Sequence, residues 1–209
     1  MAQIEEAHED STGGIDVGEG SGPIVVGLSG ASGMPIAVRT LAALREAGER
    51  VSLIVSEGAG AVLREESGIE PEALAAYATD RYSDRDLAAP IASGSRPTRG
   101  MVIVPCSSTM VARIALGLGD GLIARAAHVH LKERRRLVIV PRETPLSPIL
   151  LGHLTRLAEL GVVVLPPEPA YYLHPARIEE VTDFLAGRVL DHLGIAHRLY
   201  RGWKVGEEP

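Results

Sequence analysis

Arg125, His128 and Lys132 fall at i, i+3 and i+7 within the stretch RAAHVHLKERRRLVIVPRETP, residues 125–145. On a helix that spacing puts two fixed cations and a titratable third on one face. The face borders an apolar stripe of Leu122, Ala126 and Val129. Like charges beside a buried stripe repel unless an anion or a carboxylate lies between them. Arg125 and Lys132 therefore fit either a solvated basic face or one side of an anion site, whereas Arg134, Arg135 and Arg136 fit a solvated corner. Arg188 is more telling. Over residues 178–193, Val181, Phe184, Leu185 and Val189 define an inward stripe, and Arg188 falls inside that arc. A cation placed there needs a partner, because an unpaired buried charge is strongly unfavourable. Either an internal ion pair or a phosphate shared with Arg125 and Lys132 would serve.

Gly30-Ala31-Ser32-Gly33 lacks both the Gly-Lys-Ser/Thr of a Walker A loop and the Gly-x-Ser-x-Gly of a nucleophile elbow. It fits a tight strand-to-helix turn, or backbone donors and the Ser32 hydroxyl facing a phosphate or a flavin edge. Cys106 fits a buried small hydrophobe better than a nucleophile. Ser107, Ser108 and Thr109 behind it fit a helix cap together with ligand donors. Seven histidines raise the question of a metal, but His128 and His130 point apart on a helix and no cluster has ligand spacing, so no metal is expected. Glu66 and Glu143 sit near strand ends, where spacing alone assigns neither a catalytic role.

The elements that must position these groups alternate. Short apolar runs at residues 24–28, 51–55, 101–105, 137–141 and 162–165 have the pattern of parallel strands buried on both faces. Helical stretches lie between them: from Pro35 to before Gly48, through Glu65 and Glu66, at 69–80, after Cys106, across Arg125, at 147–160, and at 178–193. Residues 84–99, with Pro90 and Pro97, form a loop or broken helix. This alternation predicts an α/β fold, a doubly wound parallel sheet in a Rossmann or flavodoxin-like three-layer α/β/α arrangement. Ligands in such folds bind beyond the carboxyl ends of the strands, so residues 30–33, Ser56, residues 106–110, Arg142 with Glu143, and the Tyr171/Tyr172 loop should share one pocket.

A chain of 209 residues that is 45% hydrophobic suits one domain with a full-sized core. That domain is expected over residues 23–196, after an acidic disordered tail at 1–22 and before a tail at 197–209 that could close over the site. The net charge of -6 comes from the first tail, which holds six acidic residues and no Lys or Arg, so the remainder balances. A neutral body gives no footprint for nucleic acid. The lone Cys106, the lack of a signal-like amino terminus and the lack of a long apolar run point to a cytoplasmic protein with no membrane contact.

Taken together, GLSGASG, IASGSRPTRGMVIVPCS, LIARAAHVHLKERRRLVIVPRETPLS and PAYYLHP resemble the UbiX-type flavin prenyltransferase family across residues 24–203. The long motif ending in Val-Pro-Arg-Glu-Thr-Pro is highly specific. The resemblance implies a metal-independent enzyme, commonly a dodecamer. Such an enzyme joins a dimethylallyl group from dimethylallyl phosphate, or the diphosphate, to N5 and C6 of reduced FMN. The prenylated FMN then serves a partner UbiD-type decarboxylase. By position, Gly30, Ala31, Ser32, Ser56, Ser107, Ser108, Thr109, Met110 and Arg142 would hold FMN. Ser93, Gly94, Arg125, Lys132, Tyr172 and Arg188 would hold the prenyl phosphate, some of them from a neighbouring subunit, and Ser32, Glu66 and Glu143 would handle protons. Three basic side chains from two helices would thus converge on one anion.

The chain departs from the family pattern where Met110 replaces the usual Thr, where His128 replaces the Asp of Arg-Ala-Ala-Asp, and where Leu87 takes the place of an aromatic. Residues 150–152 also lack the usual polar pattern. Two other readings stay open: a non-catalytic FMN-binding subunit or carrier for a decarboxylase, and an FMN-dependent cysteinyl decarboxylase on a related fold. The second would need a histidine after an early strand and an Asn-bearing motif near the fourth, and neither is seen.

Overall fold

A computed structural model describes residues 22–202; the acidic stretch 1–21 and residues 203–209, which hold Trp203 and the end of the tail expected at 197–209, lie outside the described residues. Six parallel strands form one sheet in the order β3-β2-β1-β4-β5-β6. They are β1 (Ile24–Leu28), β2 (Val51–Val55), β3 (Asp80–Ser83), β4 (Gly100–Cys106), β5 (Leu137–Pro141) and β6 (Val163–Val164). Chain order reverses between the central neighbours β1 and β4, which opens a crevice at their carboxyl ends. The helices are α1 (Met34–Glu46), α2 (Glu57–Ser67), α3 (Ser108–Leu116), α4 (Leu122–Lys132), α5 (Pro148–Glu159) and α6 (Ile178–Leu193).

Strand alternation divides the core in two. Ile24, Val26, Leu28, Val102 and Val104 face a layer built from α1, α2 and α6. Val25, Met101, Ile103 and Ile139 face the layer of α3, α4 and α5. Every residue of β1, β4 and β5 is buried, as a two-sided parallel sheet requires. Gly27 in β1 lets α4 come close, since a Cβ there would sit 3.0 Å from Ile123 Cγ2.

The sequence signal failed at the edge. Residues 69–80, expected as a helix, hold a short 3-10 stretch (Pro71–Tyr77), and Asp80 then begins β3. An edge strand reading Asp-Arg-Tyr-Ser alternates half-buried with exposed residues and carries no apolar run to betray it. The broken segment at 84–99 contains one further 3-10 turn (Pro90–Ala92). Among the described residues no helix is long and apolar enough to cross a membrane.

His130 ties α4 to the chain entering β4. Its Nδ1–H donates to the Ala126 carbonyl at 2.8 Å, which leaves Nε2 to accept from the Thr98 hydroxyl at 3.0 Å. Burial, seconded by the Arg135 charge, pulls its pKa down to about 4. An unfolded chain takes up this proton near pH ~6.5, so stability should be complete above that value and fall as pH drops towards 4. The loss amounts to on the order of 3 kcal/mol. Denaturant titrations at pH 7 and pH 4.5 should therefore show a smaller drop for His130→Gln than for the wild type. An equal drop in both would assign the acid sensitivity to carboxylates instead.

Candidate active site

Three loops meet where the chain order reverses. After β1, the Ser29 hydroxyl donates to the Pro105 carbonyl at 3.0 Å and accepts from the Ser107 N–H at 2.8 Å, stitching the ends of β1 and β4 together. Gly30 then passes so near the start of α2 that a Cβ on it would lie 3.2 Å from Gly58 Cα. A side chain there would press on the α2 backbone, which would have to give by a few tenths of an ångström. Ser56 and Ser107 cap α2 and α3 by accepting from the Ala59 and Met110 N–H groups. Both helix amino ends therefore aim at the crevice, where their dipoles favour negative charge.

The resulting cleft has a volume of 810 Å³, within the range of cofactor pockets. Gly30, Ser56, Ser107, Thr109 and Met110 all line it. Glu57, Ser83, Asp84, Arg85, Arg113 and Asp120 are among its other lining residues. Sequence reasoning missed that group: Ser83, Asp84 and Arg85 end or follow β3, which had no apolar run to mark it, and no spacing singled out Arg113 on α3 or Asp120 after it. The Asp84 carbonyl accepts from the Leu122 N–H at 2.7 Å, and its Oδ1 accepts from the Ile123 N–H at 2.8 Å. Asp84 thus caps α4 and fixes that helix to the cleft.

Beside the cleft, at the amino end of α1, stands the second group. Glu66 Oε2 accepts from the Gly33 N–H at 2.9 Å and from the Met34 N–H at 2.8 Å. The amide groups expected to be free for an external anion are therefore already taken by a carboxylate of the chain. Partial burial works against ionisation of Glu66. The Ser32 hydroxyl, the two amides and the Arg142 charge outweigh it and hold the carboxyl below its ordinary pKa. Glu143 lies across the β5 loop, where its Oε2 accepts from the Ser108 hydroxyl at 3.0 Å. Ser32, Glu66 and Arg142 thus form one cluster, and Ser108 with Glu143 form another next to Ser107.

The anion-binding candidates divide into two groups. Arg125 Nε donates to the Ala92 carbonyl at 3.2 Å, and Lys132 Nζ is ion-paired with Glu133. A Cβ on Gly94 would lie 2.5 Å from Lys132 Nζ, so Gly94 is the residue that allows this approach. Ser93 and Ser95 share a hydroxyl contact in the same loop. Arg188 belongs to α6, in the layer on the other side of the sheet. Its Nη1 meets Asp191 Oδ2 at 2.8 Å and the Tyr200 hydroxyl at 3.3 Å. Tyr172 is nearby, edge-on to Phe184, which in turn packs edge-on against Tyr200.

A flavoprotein family model matches residues 18–190. A flavin prenyltransferase UbiX from Thermoplasma acidophilum is 48% identical over 180 residues, covering 86% of this chain and 99% of its own. The chain belongs to the UbiX-type flavin prenyltransferase family. Among solved structures, AnUbiX (PadA1) in complex with FMN and dimethylallyl pyrophosphate superposes with a TM-score of 0.86 at 39% identity, covering 89% of this chain and 99% of that one. A dodecameric FMN-dependent UbiX-like decarboxylase from Escherichia coli O157:H7 gives 0.86 at 41% identity, covering 88% and 100%.

Within this flavin prenyltransferase fold, one chain does not bring the three expected cations together. Arg188 is satisfied by Asp191 and Tyr200, the ion-pair alternative, and the sheet separates it from α4. Lys132 ends α4 ten residues beyond Leu122, about 15 Å from the end that Asp84 fastens to the cleft. A helical-wheel reading places residues around an axis and says nothing of position along it. The departures from the family pattern are accommodated locally. His128 Nε2–H donates to the Ile114 carbonyl at 3.2 Å, tying α4 to α3. Met110 is buried and lines the cleft, and Leu87 is half-exposed. Cys106 is fully buried, and burial pushes its thiol pKa up, as suits a packing residue.

Proposed function

We propose that this chain is a flavin prenyltransferase that joins a dimethylallyl group to N5 and C6 of reduced FMN, with phosphate as the leaving group. Forty-eight per cent identity to a named flavin prenyltransferase, spanning 99% of that protein, carries the reading. The cleft between β1 and β4 supports that reading. Its donor set fits a flavin nucleotide: bare backbone at Gly30 against Gly58, hydroxyls at Ser56, Ser107 and Thr109, and cations at the outer rim.

Reduced FMN supplies the nucleophilic ring atoms, and the allylic phosphate supplies the electrophilic carbon. The residues of the chain do the rest. Gly30, Ala31 and Ser32 cradle the ring edge in this reading, and Ser56, Ser107, Ser108, Thr109, Met110 and Arg142 complete the flavin contacts. Ser93, Gly94, Arg125, Lys132, Tyr172 and Arg188 take the donor phosphate. Because one chain separates these into two groups, neighbouring copies would complete each site. Cations around the phosphate stabilise the charge that develops on it as the allylic C–O bond breaks. Ring closure needs a proton added to the prenyl double bond, which makes the tertiary carbon electrophilic, and C6 then gives up its own proton. Ser32 Oγ would pass that proton to the Glu66 carboxylate, and Glu143, held on the Ser108 hydroxyl, is the second carboxylate assigned to proton handling. A UbiD-type decarboxylase as recipient of the product, a dodecameric assembly and a cytoplasmic location are part of this proposal. The buried free thiol of Cys106 suits a reducing compartment.

Anaerobic incubation with reduced FMN and, in separate arms, dimethylallyl phosphate or dimethylallyl pyrophosphate tests the proposal. A flavin heavier by one C5 unit is the expected product, and the productive arm identifies the donor. Bound but unchanged FMN in both arms would make the chain a carrier instead.

A further inference from the structure

The flavin contacts expected from the sequence that line the cleft are Gly30, Ser56, Ser107, Thr109 and Met110, and none of them is charged. Arg142 acts on Glu66 and is absent from the lining. The flavin nucleotide carries a phosphate dianion, and a partly enclosed anion needs a countercharge as well as hydroxyls. The cleft itself supplies two cations, Arg85 and Arg113, beside the carboxylates of Glu57, Asp84 and Asp120, of which Asp84 is engaged in capping α4.

These two arginines differ. The Arg85 side chain is 86% exposed and is paired with Glu57 at 2.7 Å. Arg113 lies on α3, one turn beyond Thr109, so both project from the same helix face into the cleft. Its side chain is only 35% exposed, and it meets Asp120 at 3.4 Å, a long contact to a carboxylate that is itself 60% exposed. Asp120 also lines the cleft. The arrangement is a half-buried guanidinium held loosely by a solvated carboxylate, at the mouth of a nucleotide-sized pocket. A phosphate can replace Asp120 with two parallel charge-assisted hydrogen bonds, the geometry for which guanidinium is suited.

We propose that Arg113 binds the phosphate of the flavin nucleotide and so makes the cleft select FMN over riboflavin. This rests on the reading that FMN occupies the cleft, and it adds a residue outside the expected contact set. Thr109 supplies a hydroxyl one turn earlier, and Asp120 holds the guanidinium in place before the nucleotide enters.

The test compares oxidised FMN with riboflavin, which lacks only the phosphate, by quenching of flavin fluorescence on the full chain. The wild type should bind FMN about 10- to 100-fold more tightly than riboflavin, the range for one or two charge-assisted contacts. Arg113→Ala should erase most of that preference while leaving the riboflavin Kd unchanged, and Arg113→Lys should recover part of it. Should Arg113→Ala fail to fold, Arg113→Met keeps the aliphatic stem and is read in the same way. A ratio left at the wild-type value by either neutral variant overturns the assignment, as does equal weakening of both flavins. A wild type that binds both flavins equally overturns it too. If the wild type binds neither flavin, it is the functional reading that fails, so the two failures are distinguishable.

Discussion

Glu66→Gln is expected to keep FMN bound and to lower turnover by about 10²- to 10⁴-fold, the usual contribution of a positioned proton acceptor. The geometry makes this a selective change. Glutamine keeps one oxygen for the Gly33 and Met34 amides that cap α1, so the turn after β1 should survive with a cost of about 1 kcal/mol. What is lost is the negative charge facing Ser32 and Arg142. The folded pKa of Glu66 is depressed, so its contribution to stability is complete at neutral pH and is lost as pH falls through that lowered value. At neutral pH the group is therefore a carboxylate that can accept a proton, a weaker base than an ordinary glutamate because its pKa is lowered. The check is a pair of measurements: FMN affinity, and single-turnover formation of the heavier flavin. Undiminished turnover would leave Glu66 as a helix cap only. A parallel collapse of FMN binding would mean that the cap, rather than the proton, is what matters.

Lys132→Ala should weaken donor binding by roughly 10- to 100-fold while leaving FMN affinity near the wild-type value, since a charge-assisted contact to phosphate contributes ~1.5–3 kcal/mol. The phosphate should dominate donor affinity, because burying five prenyl carbons at ~0.8 kcal/mol each yields at most about 4 kcal/mol. Little stability should be lost, since the Lys132–Glu133 pair is largely exposed and such pairs contribute ~0–1 kcal/mol. Equal losses of donor and FMN binding would place Lys132 elsewhere. Its distance along α4 from the cleft of its own chain adds a sharper check. Co-assembly of Lys132→Ala with Glu66→Gln chains should restore part of the activity if one copy completes its neighbour's site. Mixtures as inactive as the parents would refute sharing.

Much of the framework was legible in the residues themselves. Five of the six strands are short apolar runs, and burial on both faces leaves no other way to hide them. The hydroxyls after Cys106 read as a helix cap, and Ser107 caps α3. Gly30 to Gly33 marked the turn at which the fold opens, and α6 has the same bounds, Ile178–Leu193, that its inward stripe implied. These features depend on neighbours within a few residues, which periodicity and turn chemistry encode directly.

Tertiary structure decided the rest, because it depended on groups distant in sequence. Glu66 reaches back 33 residues to take the Gly33 amide, so an apparent anion site is filled from within. β3 exists because Ser52, Leu53, Ile54 and Val55 offer an open edge to pair with, and the strand itself has no apolar run. Arg113 and Arg85 reach the cleft only because α3 and the β3 loop flank the crevice where the winding of the sheet reverses. Arg188 looked like a partner for Arg125 and Lys132, yet the sheet lies between their helices. A sequence records how side chains are arranged around a helix; which helices share a face of the sheet is decided only when the chain has folded.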